Sequence, residues 1–268
     1  MKVRIAKISE LIKEERWDID YHLPPEGIAK FPDVLVKEVC NVADIIRTKR
    51  DPTKTPDDPF LYVDIASVDV TTGSIENPHE LVGSEAPSRA RKVIHAYDII
   101  ISTCRPTRGA IAIVPENLHG QICSTGFSVI RAKKGINPFY LHFALRLAST
   151  LEQFRKFSTG SSYPAILDED VEKTKIPIPP PDIQDEISLA LAEAAEKRLA
   201  TIRQANDEWT ALNCSVFEGL KQNKIELEHS NTTCKALTIN SITKRMEQLT
   251  PQNSGKDAER SLFADEED

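Results

Sequence analysis

The feature that most constrains this chain is a proline-rich run that leads directly into a long segment without proline. Residues 176–181 read IPIPPP, and residues 182–228 contain no proline and a single glycine, Gly219. Consecutive prolines fix φ near −65° and remove backbone donors, so the run should be a stiff extended spacer. Asp182 offers an N-cap carboxylate for a helix that starts after the spacer. The pattern predicts a globular part that feeds one long helix.

The predicted helix carries an apolar stripe. Four of its residues recur every seven positions: Ala195, Ile202, Trp209 and Val216. Four leucines widen the stripe: Leu191, Leu199, Leu212 and Leu220. A seven-residue repeat is typical of a helix that packs against another helix, and at about 1.5 Å per residue this one would exceed the width of a small domain. The stripe predicts a partner helix, while the alternative of a helix lying across its own domain's core stays open.

The net charge of −7 conceals a local excess of positive charge. Residues 1–180 balance 24 acidic against 24 basic side chains, and residues 181–268 carry 17 acidic and 10 basic ones. Between residues 89 and 134 the acidic side chains are two and the basic ones eight: Arg89, Arg91, Lys92, Arg105, Arg108, Arg131, Lys133 and Lys134. A local charge of +6 on an acidic chain favours phosphate binding by one face, although a solvated basic face without a ligand is an equal alternative.

Residues 1–181 are predicted to form an α+β domain with a curved, β-rich sheet and peripheral helices, because many short strand patterns accompany few helical ones. Residues 98–101 read DIII, and the three isoleucines are typical of a buried strand. A polar connection at 103–109 then carries two arginines, and residues 110–114 return as a second strand. This order predicts a hairpin with a basic tip.

Two longer patterns and one loop complete the domain. Residues 121–131 are predicted as one strand, and residues 139–157 as one amphipathic helix that begins after Asn137. The loop at 47–59 is rich in proline and aspartate, and loops of this size are often functional. Its first basic residues are Arg47, Lys49 and Arg50.

The search for catalytic and ligand-binding motifs is negative. The sequence has no glycine-rich phosphate loop and no Gly-x-Ser-x-Gly elbow, and its six histidines show no metal-ligand spacing. Five scattered cysteines match neither a disulfide framework nor a redox pair. The N-terminus lacks the apolar region of a signal peptide, and no run is long enough to span a membrane. We therefore expect a cytoplasmic protein that is not an enzyme and needs no metal or cofactor.

Five short stretches follow one another in a characteristic order. They are DIIIS at 98–102, STGF at 124–127, NPFYL at 137–141, TGSSYPAI at 159–166 and the proline-rich run at 176–181. Together they resemble the type I restriction-modification specificity (S) subunits, in which a target-recognition domain ends just before a conserved helix. Each stretch alone is a weak signal, whereas the order of the last two is fairly specific.

The resemblance extends over about residues 10–220 and implies a DNA reader without catalytic activity. Typical members have two recognition domains whose helices pack antiparallel, and methyltransferase and translocase subunits dock onto that scaffold. This chain has one such domain and one long helix, so it is similar to a half-subunit. An antiparallel homodimer would restore the arrangement and read a bipartite inverted repeat. The implied partners are double-stranded DNA, a second copy of the chain, an adenine-N6 methyltransferase and, where one exists, a translocase or nuclease.

The same resemblance suggests roles for the basic residues. Arg105 and Arg108, at the tip of the predicted hairpin, would reach base edges or flanking phosphates. Further candidates for contacts with the DNA backbone are Arg47, Lys49, Arg50, Arg89, Arg91, Lys92, Lys133 and Lys134. Phosphate contact is also open to Ser161, Ser162 and Tyr163, for which a structural loop that packs the domain against the helix is an equal alternative.

The sequence predicts four segments. A target-recognition domain at 1–181 is followed by the long dimerisation helix at 182–229, a short helix at 230–250 and a disordered acidic tail at 251–268. A rival interpretation from another class is a dimeric helical scaffold or regulator that binds proteins and not DNA. Specific binding of a bipartite duplex would exclude that rival.

Overall fold

The computed structural model describes residues 8–9, 12, 17, 19–22, 25–160 and 162–222. The strands in these ranges are β1 (Val36–Glu38), β2 (Ala43–Ile45), β3 (Pro59–Val63), β4 (Val68–Asp69), β5 (Ser74–Ile75), β6 (His79–Val82), β7 (Ala90–Val93), β8 (Ile99–Ser102), β9 (Ile111–Ile113), β10 (Ile122–Ser124), β11 (Phe127–Ala132) and β12 (Lys175–Pro177). The α-helices are α1 (Ile19–His22), α2 (Val39–Val42), α3 (Pro138–Leu145), α4 (Ala148–Phe157), α5 (Asp168–Glu172) and α6 (Pro181–Lys221). The predicted α+β class is confirmed.

Two four-stranded sheets form the centre of the domain. The first, here called the inner sheet, has the order β2-β11-β8-β9 and is antiparallel throughout. The second, the outer sheet, has the order β6-β3-β10-β7, with β3 and β10 parallel. Two-stranded pairs join β1 to β12 and β4 to β5. Strand β12 includes Ile176 and Pro177, so the proline-rich run begins as a strand paired with β1 and not as the predicted spacer.

Strand β8 lies in the middle of the core, as its apolar run predicts. Ile99 and Ile101 belong to the apolar cluster that includes residues of α3 and α4, while Ile100 belongs to a second cluster that includes residues of the outer sheet. All three are fully buried. Successive side chains of a strand point to opposite faces. A strand that is covered on both faces is therefore apolar at successive positions. The hairpin of β8 and β9 is also confirmed, with Ile99 opposite Ile113.

The prediction of one strand at 121–131 is wrong. Strand β10 ends at Ser124 in the outer sheet, and β11 begins at Phe127 in the inner sheet. In the turn between them, the Gly126 N–H donates to Ser124 Oγ at 3.1 Å. A Cβ on Gly126 would approach the Ile65 side chain to 3.2 Å. The Ser-Thr-Gly sequence was a turn signal, because these residues favour local hydrogen bonds and flexible backbone over continued pairing.

The prediction of one helix at 139–157 is also wrong, since α3 and α4 are separate. Leu147 has extended backbone, with φ −60° and ψ 146°, and interrupts the helical path. The Thr150 hydroxyl donates to the Ala144 carbonyl at 2.9 Å and so satisfies an acceptor at the end of α3. Arg146 points away to the carbonyls of residues 70–72, at 2.7–3.1 Å. These tertiary hydrogen bonds stabilise a break that helical periodicity does not reveal.

The long helix begins one residue earlier than predicted. Pro181 occupies the first helical position, where its missing N–H costs nothing, and Asp182 lies in the first turn and is not the N-cap. Gln184 is 1% exposed: its side chain accepts from the Asn137 N–H at 3.0 Å and donates to the Pro179 carbonyl at 2.8 Å. Asn137 in turn caps α3, as predicted. The proline-rich run is therefore fixed to the domain by a buried amide.

The apolar stripe of α6 is solvent-exposed in the single chain. The chain divides into two compact units, with the boundary between Ile202 and Arg203. In the first unit, Leu191, Leu199 and Ile202 are 38–48% exposed, which argues against a helix lying across its own domain's core. In the second unit, the exposed members are Trp209 (65%), Leu212 (48%) and Leu220 (60%). None of the helices in the described residues is long and apolar enough to cross a membrane.

The stripe also includes Ala195, which is exposed, and Val216, which is half-buried. The predicted helix at 230–250 and the predicted acidic tail lie outside the described residues, as does the end of the predicted dimerisation segment beyond residue 222. The boundaries of the predicted domains therefore stay predictions.

Candidate nucleic-acid interface

The connection between β8 and β9, residues 103–109, is here called the arginine turn. Residues Pro106–Arg108 form a single turn of 3₁₀-helix. Left-handed backbone flanks it on both sides, with φ +48° at Arg105 and φ +75° at Gly109. The left-handed conformation costs a non-glycine residue about 1–2 kcal/mol, so the surrounding structure must hold Arg105 in place.

The second element is the segment at 159–165, here called the tyrosine loop. Thr159 and Ala165 exchange two backbone hydrogen bonds of 2.9 Å, which close the loop at its base. Gly160 has φ +91°, and a Cβ there would lie 3.1 Å from the Tyr163 carbonyl oxygen. The fold of the loop therefore requires glycine at this position. Tyr163 at its tip is 74% exposed.

The arginine turn and the tyrosine loop are joined, although 58 positions separate Arg105 from Tyr163. The Arg105 N–H donates to the Pro164 carbonyl at 2.7 Å, and the Ile166 N–H donates to the Thr103 carbonyl at 3.0 Å. The Arg105 guanidinium lies over the Tyr163 ring, with Cζ 4.8 Å from the ring centre. Two of the predicted site residues thus touch each other, which the sequence did not indicate.

The turn between β10 and β11 is the third element at the same end of the inner sheet. The Thr103 N–H and hydroxyl both donate to the Gly126 carbonyl, at 2.8 and 2.9 Å. The Thr125 N–H donates to the Arg89 carbonyl at 2.8 Å. Thr103 and Gly126 were missed as site residues. In the sequence, only the resemblance of STGF to a family motif indicated that this turn belongs to a site.

These contacts bring five predicted residues to one end of the domain. We call this set the arginine face: Arg89, Arg105, Arg108, Ser162 and Tyr163. Ser161 is adjacent in sequence but lies outside the described residues. Arg89 and Arg108 are exposed, and their side chains have no ion pair within the part of the chain that the structure describes. Their guanidinium donors are available to an anionic ligand such as DNA phosphate.

Arg91 and Lys92, also predicted to contact DNA, have partners inside the protein. The half-buried Lys92 Nζ donates to the Phe127 carbonyl at 2.6 Å and so links the two sheets. Arg91 donates to two nearby carbonyls and lies 3.4 Å from Asp51. Their positive charge still adds to the local potential, but their donors are largely occupied.

The basic loop at 47–50 runs beside β7. The Arg50 N–H donates to the Arg91 carbonyl at 2.9 Å, and the Val93 N–H donates to the Thr48 carbonyl at 3.0 Å. Lys49 and Arg50 are exposed, whereas Arg47 lies 3.8 Å from Glu172 in a solvent-exposed ion pair. The loop therefore extends the edge of the outer sheet with the exposed side chains of Lys49 and Arg50.

Lys133 and Lys134 lie at the opposite end of the inner sheet from the arginine turn. Strand β11 separates the two ends by about 17 Å, at roughly 3.3 Å per residue. Lys133 Nζ donates to the Cys40 carbonyl at 2.6 Å and lies 3.3 Å from Asp44. The zone of charge +6 in the sequence is thus split into two groups by the direction of a single strand.

An ion pair with a buried carboxylate lies at the same far end. Arg131 donates to both carboxylate oxygens of the fully buried Asp98, at 2.7 and 2.9 Å. Hydrogen bonding to Asp98 raises the pKa of Arg131. This arginine holds β11 to the start of β8, and its Nε and Nη2 donors are directed at Asp98. Among the described residues, no group of three or more His, Cys, Asp or Glu side chains could hold a metal ion.

Comparisons with known proteins identify the family of the chain. The family model for the type I restriction modification DNA specificity domain matches residues 31–211. The specificity subunit of the type I restriction enzyme HindI from Haemophilus influenzae is 30% identical over 106 residues, which are 38% of this chain and 23% of that protein.

Solved structures give the same result. The HsdS subunit of Thermoanaerobacter tengcongensis is 38% identical, with a TM-score of 0.56 over 74% of this chain and 50% of that one. A structure from a study of complex assembly and conformational transition of the type I R-M system has the same identity, TM-score and coverage. The chain therefore spans about half the length of these structures. Because the family model matches more than half of the chain, the protein belongs to the type I restriction modification DNA specificity domain family.

Proposed function

We propose that the chain is the non-catalytic DNA-reading component of a type I restriction-modification system. The observation that carries the proposal is the arginine face, where hydrogen bonds between neighbouring loops place Arg89, Arg105 and Arg108 at one end of the domain. Arginine suits this task because its planar fork of donors matches both phosphate oxygens and the guanine edge. Selectivity would come from Arg105, and position on the duplex from Arg89, Arg108, Lys49 and Arg50.

We further propose that two copies of the chain pair through the stripe of α6. The exposed apolar stripe supports this proposal. A two-fold dimer presents two identical arginine faces and would read a bipartite inverted repeat. An adenine-N6 methyltransferase, with or without a translocase or nuclease, would dock onto this dimer and perform the chemistry.

Methylome sequencing of the host with and without this chain tests the whole proposal. The expected result is a bipartite inverted-repeat adenine methylation motif that disappears when the chain is removed. An unchanged methylome would contradict the proposal in a host that encodes the methyltransferase. A scaffold that binds only proteins would give no sequence-selective shift of any duplex.

Salt-dependent DNA binding tests the arginine face directly. Replacing Arg89 and Arg108 by alanine should reduce the slope of log K against log salt by about 1–2, because each lost phosphate contact removes about 0.9 from the slope. The matched control replaces Lys197 and Arg198, an exposed basic pair on α6, and changes the net charge equally. Equal slopes for both double variants would refute the assignment. The Lys133 and Lys134 pair, tested in the same way, shows whether the far end also contacts DNA.

A further inference from the structure

We infer that Tyr163 is a positioning residue that orients the Arg105 guanidinium for contact with a base edge. Selectivity at one base pair of the site would then depend on the tyrosine loop as well as on the arginine itself. The inference rests on the proposed function, because it concerns how the arginine face discriminates between DNA sequences.

The backbone of Arg105 is already fixed from both sides. Its N–H is bonded to the Pro164 carbonyl at 2.7 Å, and its carbonyl accepts from the Arg108 N–H at 3.0 Å. The neighbouring Thr103 is bonded to Gly126 and to Ile166. These bonds hold Arg105 at φ +48° and leave only its side-chain torsions free. Whatever restricts those torsions decides where the guanidinium points.

The Tyr163 ring is the group placed to restrict them. Its centre lies 4.8 Å from Arg105 Cζ, within the range of an attractive cation–π contact. The contact covers one face of the guanidinium and leaves its N–H edge open. In the described part of the chain no carboxylate pairs with Arg105, whereas the donors of Arg131 are taken by Asp98. Among the described residues, the Arg105 N–H donors that would bind guanine O6 and N7 therefore have no carboxylate partner.

The backbone of the tyrosine loop holds the Tyr163 ring beside Arg105. The Thr159–Ala165 hydrogen bonds close its base, and the left-handed Gly160 lets the chain pass close to the Tyr163 carbonyl. Yet the ring itself is 74% exposed. Tyr163 therefore contributes little to the core, and its contact with Arg105 is the role that the proposal assigns to it.

The test selects bound duplexes from a random library with the full-length chain. Four proteins are compared: wild type, Arg105→Ala, Tyr163→Ala and Tyr163→Phe. For the selected duplex, Arg105→Ala should lower the ratio of its affinity to that of a scrambled duplex by about 10- to 100-fold. Tyr163→Ala should lower the ratio by about 3- to 10-fold and weaken the preference at the same base pair. Tyr163→Phe, which keeps the ring, should restore both.

A double-mutant cycle separates positioning from independent contact. In the Arg105→Ala background, Tyr163→Ala should have little further effect on the ratio, while in the Arg108→Ala background its effect should persist in full. Two results would overturn the inference. One is that the effects of Tyr163→Ala and Arg105→Ala on the affinity ratio are additive. The other is that Tyr163→Phe lowers the affinity ratio as much as Tyr163→Ala does. Failure of the wild-type chain to enrich any sequence would instead overturn the proposed function. Thermal melting shows that each variant is folded.

Discussion

Removal of the Gln184 side-chain amide should loosen the attachment of the long helix to the domain. This side chain is 1% exposed and satisfies two main-chain groups, the Asn137 N–H at 3.0 Å and the Pro179 carbonyl at 2.8 Å. Gln184→Ala leaves both half-buried groups without these partners. A fully buried polar group without a partner costs about 1–3 kcal/mol, and half-burial lowers that cost, so the free energy of unfolding should fall by about 2–4 kcal/mol.

Urea or thermal unfolding followed by circular dichroism measures this change. For a domain of this size, about 3 kcal/mol corresponds to a decrease in Tm of roughly 6–12 °C. The matched control is Gln204→Ala on the same helix, where the side-chain amide donates to Glu208 in solvent at 2.9 Å. That change should cost at most about 0.5 kcal/mol. Equal costs at the two positions would refute the reasoning that burial makes Gln184 important.

Three further predictions concern packing, pH and assembly. Gly73→Ala should destabilise the protein by about 2–4 kcal/mol, since φ is +74° there and a Cβ would lie 2.4 Å from His142 Nε2; chemical denaturation measures the loss. Burial first, and then the Arg146 charge, lower the pKa of His142 to about 4, so the native state binds fewer protons than the unfolded chain between pH 6.5 and 4. As the pH is lowered from 6.5 to 4, the free energy of unfolding should fall by about 2–3 kcal/mol, and His142→Gln should flatten the profile of Tm against pH. Trp209→Glu should weaken the proposed dimer about 30-fold or more in sedimentation equilibrium, while Glu208→Gln, beside the stripe, should not. A monomeric wild type would refute the last prediction.

The elements predicted well from the sequence are those that carry a local chemical signal. Consecutive prolines followed by a proline-free segment determined where the long helix lies, because proline restricts its own backbone and that of the preceding residue. Unbroken apolarity at 99–101 identified the central strand, and Asn137 before a proline identified a helix cap. The seven-residue repeat identified the stripe of α6, which the structure leaves exposed.

What only the tertiary structure decided is which distant segments meet. Local preferences did not reveal the break at Leu147, because the long-range hydrogen bonds of Arg146 stabilise it. The turn signal at residues 124–126 did not reveal that the chain passes there from one sheet to the other. Charge counting treated residues 89–134 as one basic zone, yet the direction of β11 separates its two ends. The contact between Arg105 and Tyr163 depends on hydrogen bonds across 58 positions of sequence. A sequence fixes local backbone preferences and charge, whereas the arrangement of a site depends on the packing of the whole domain.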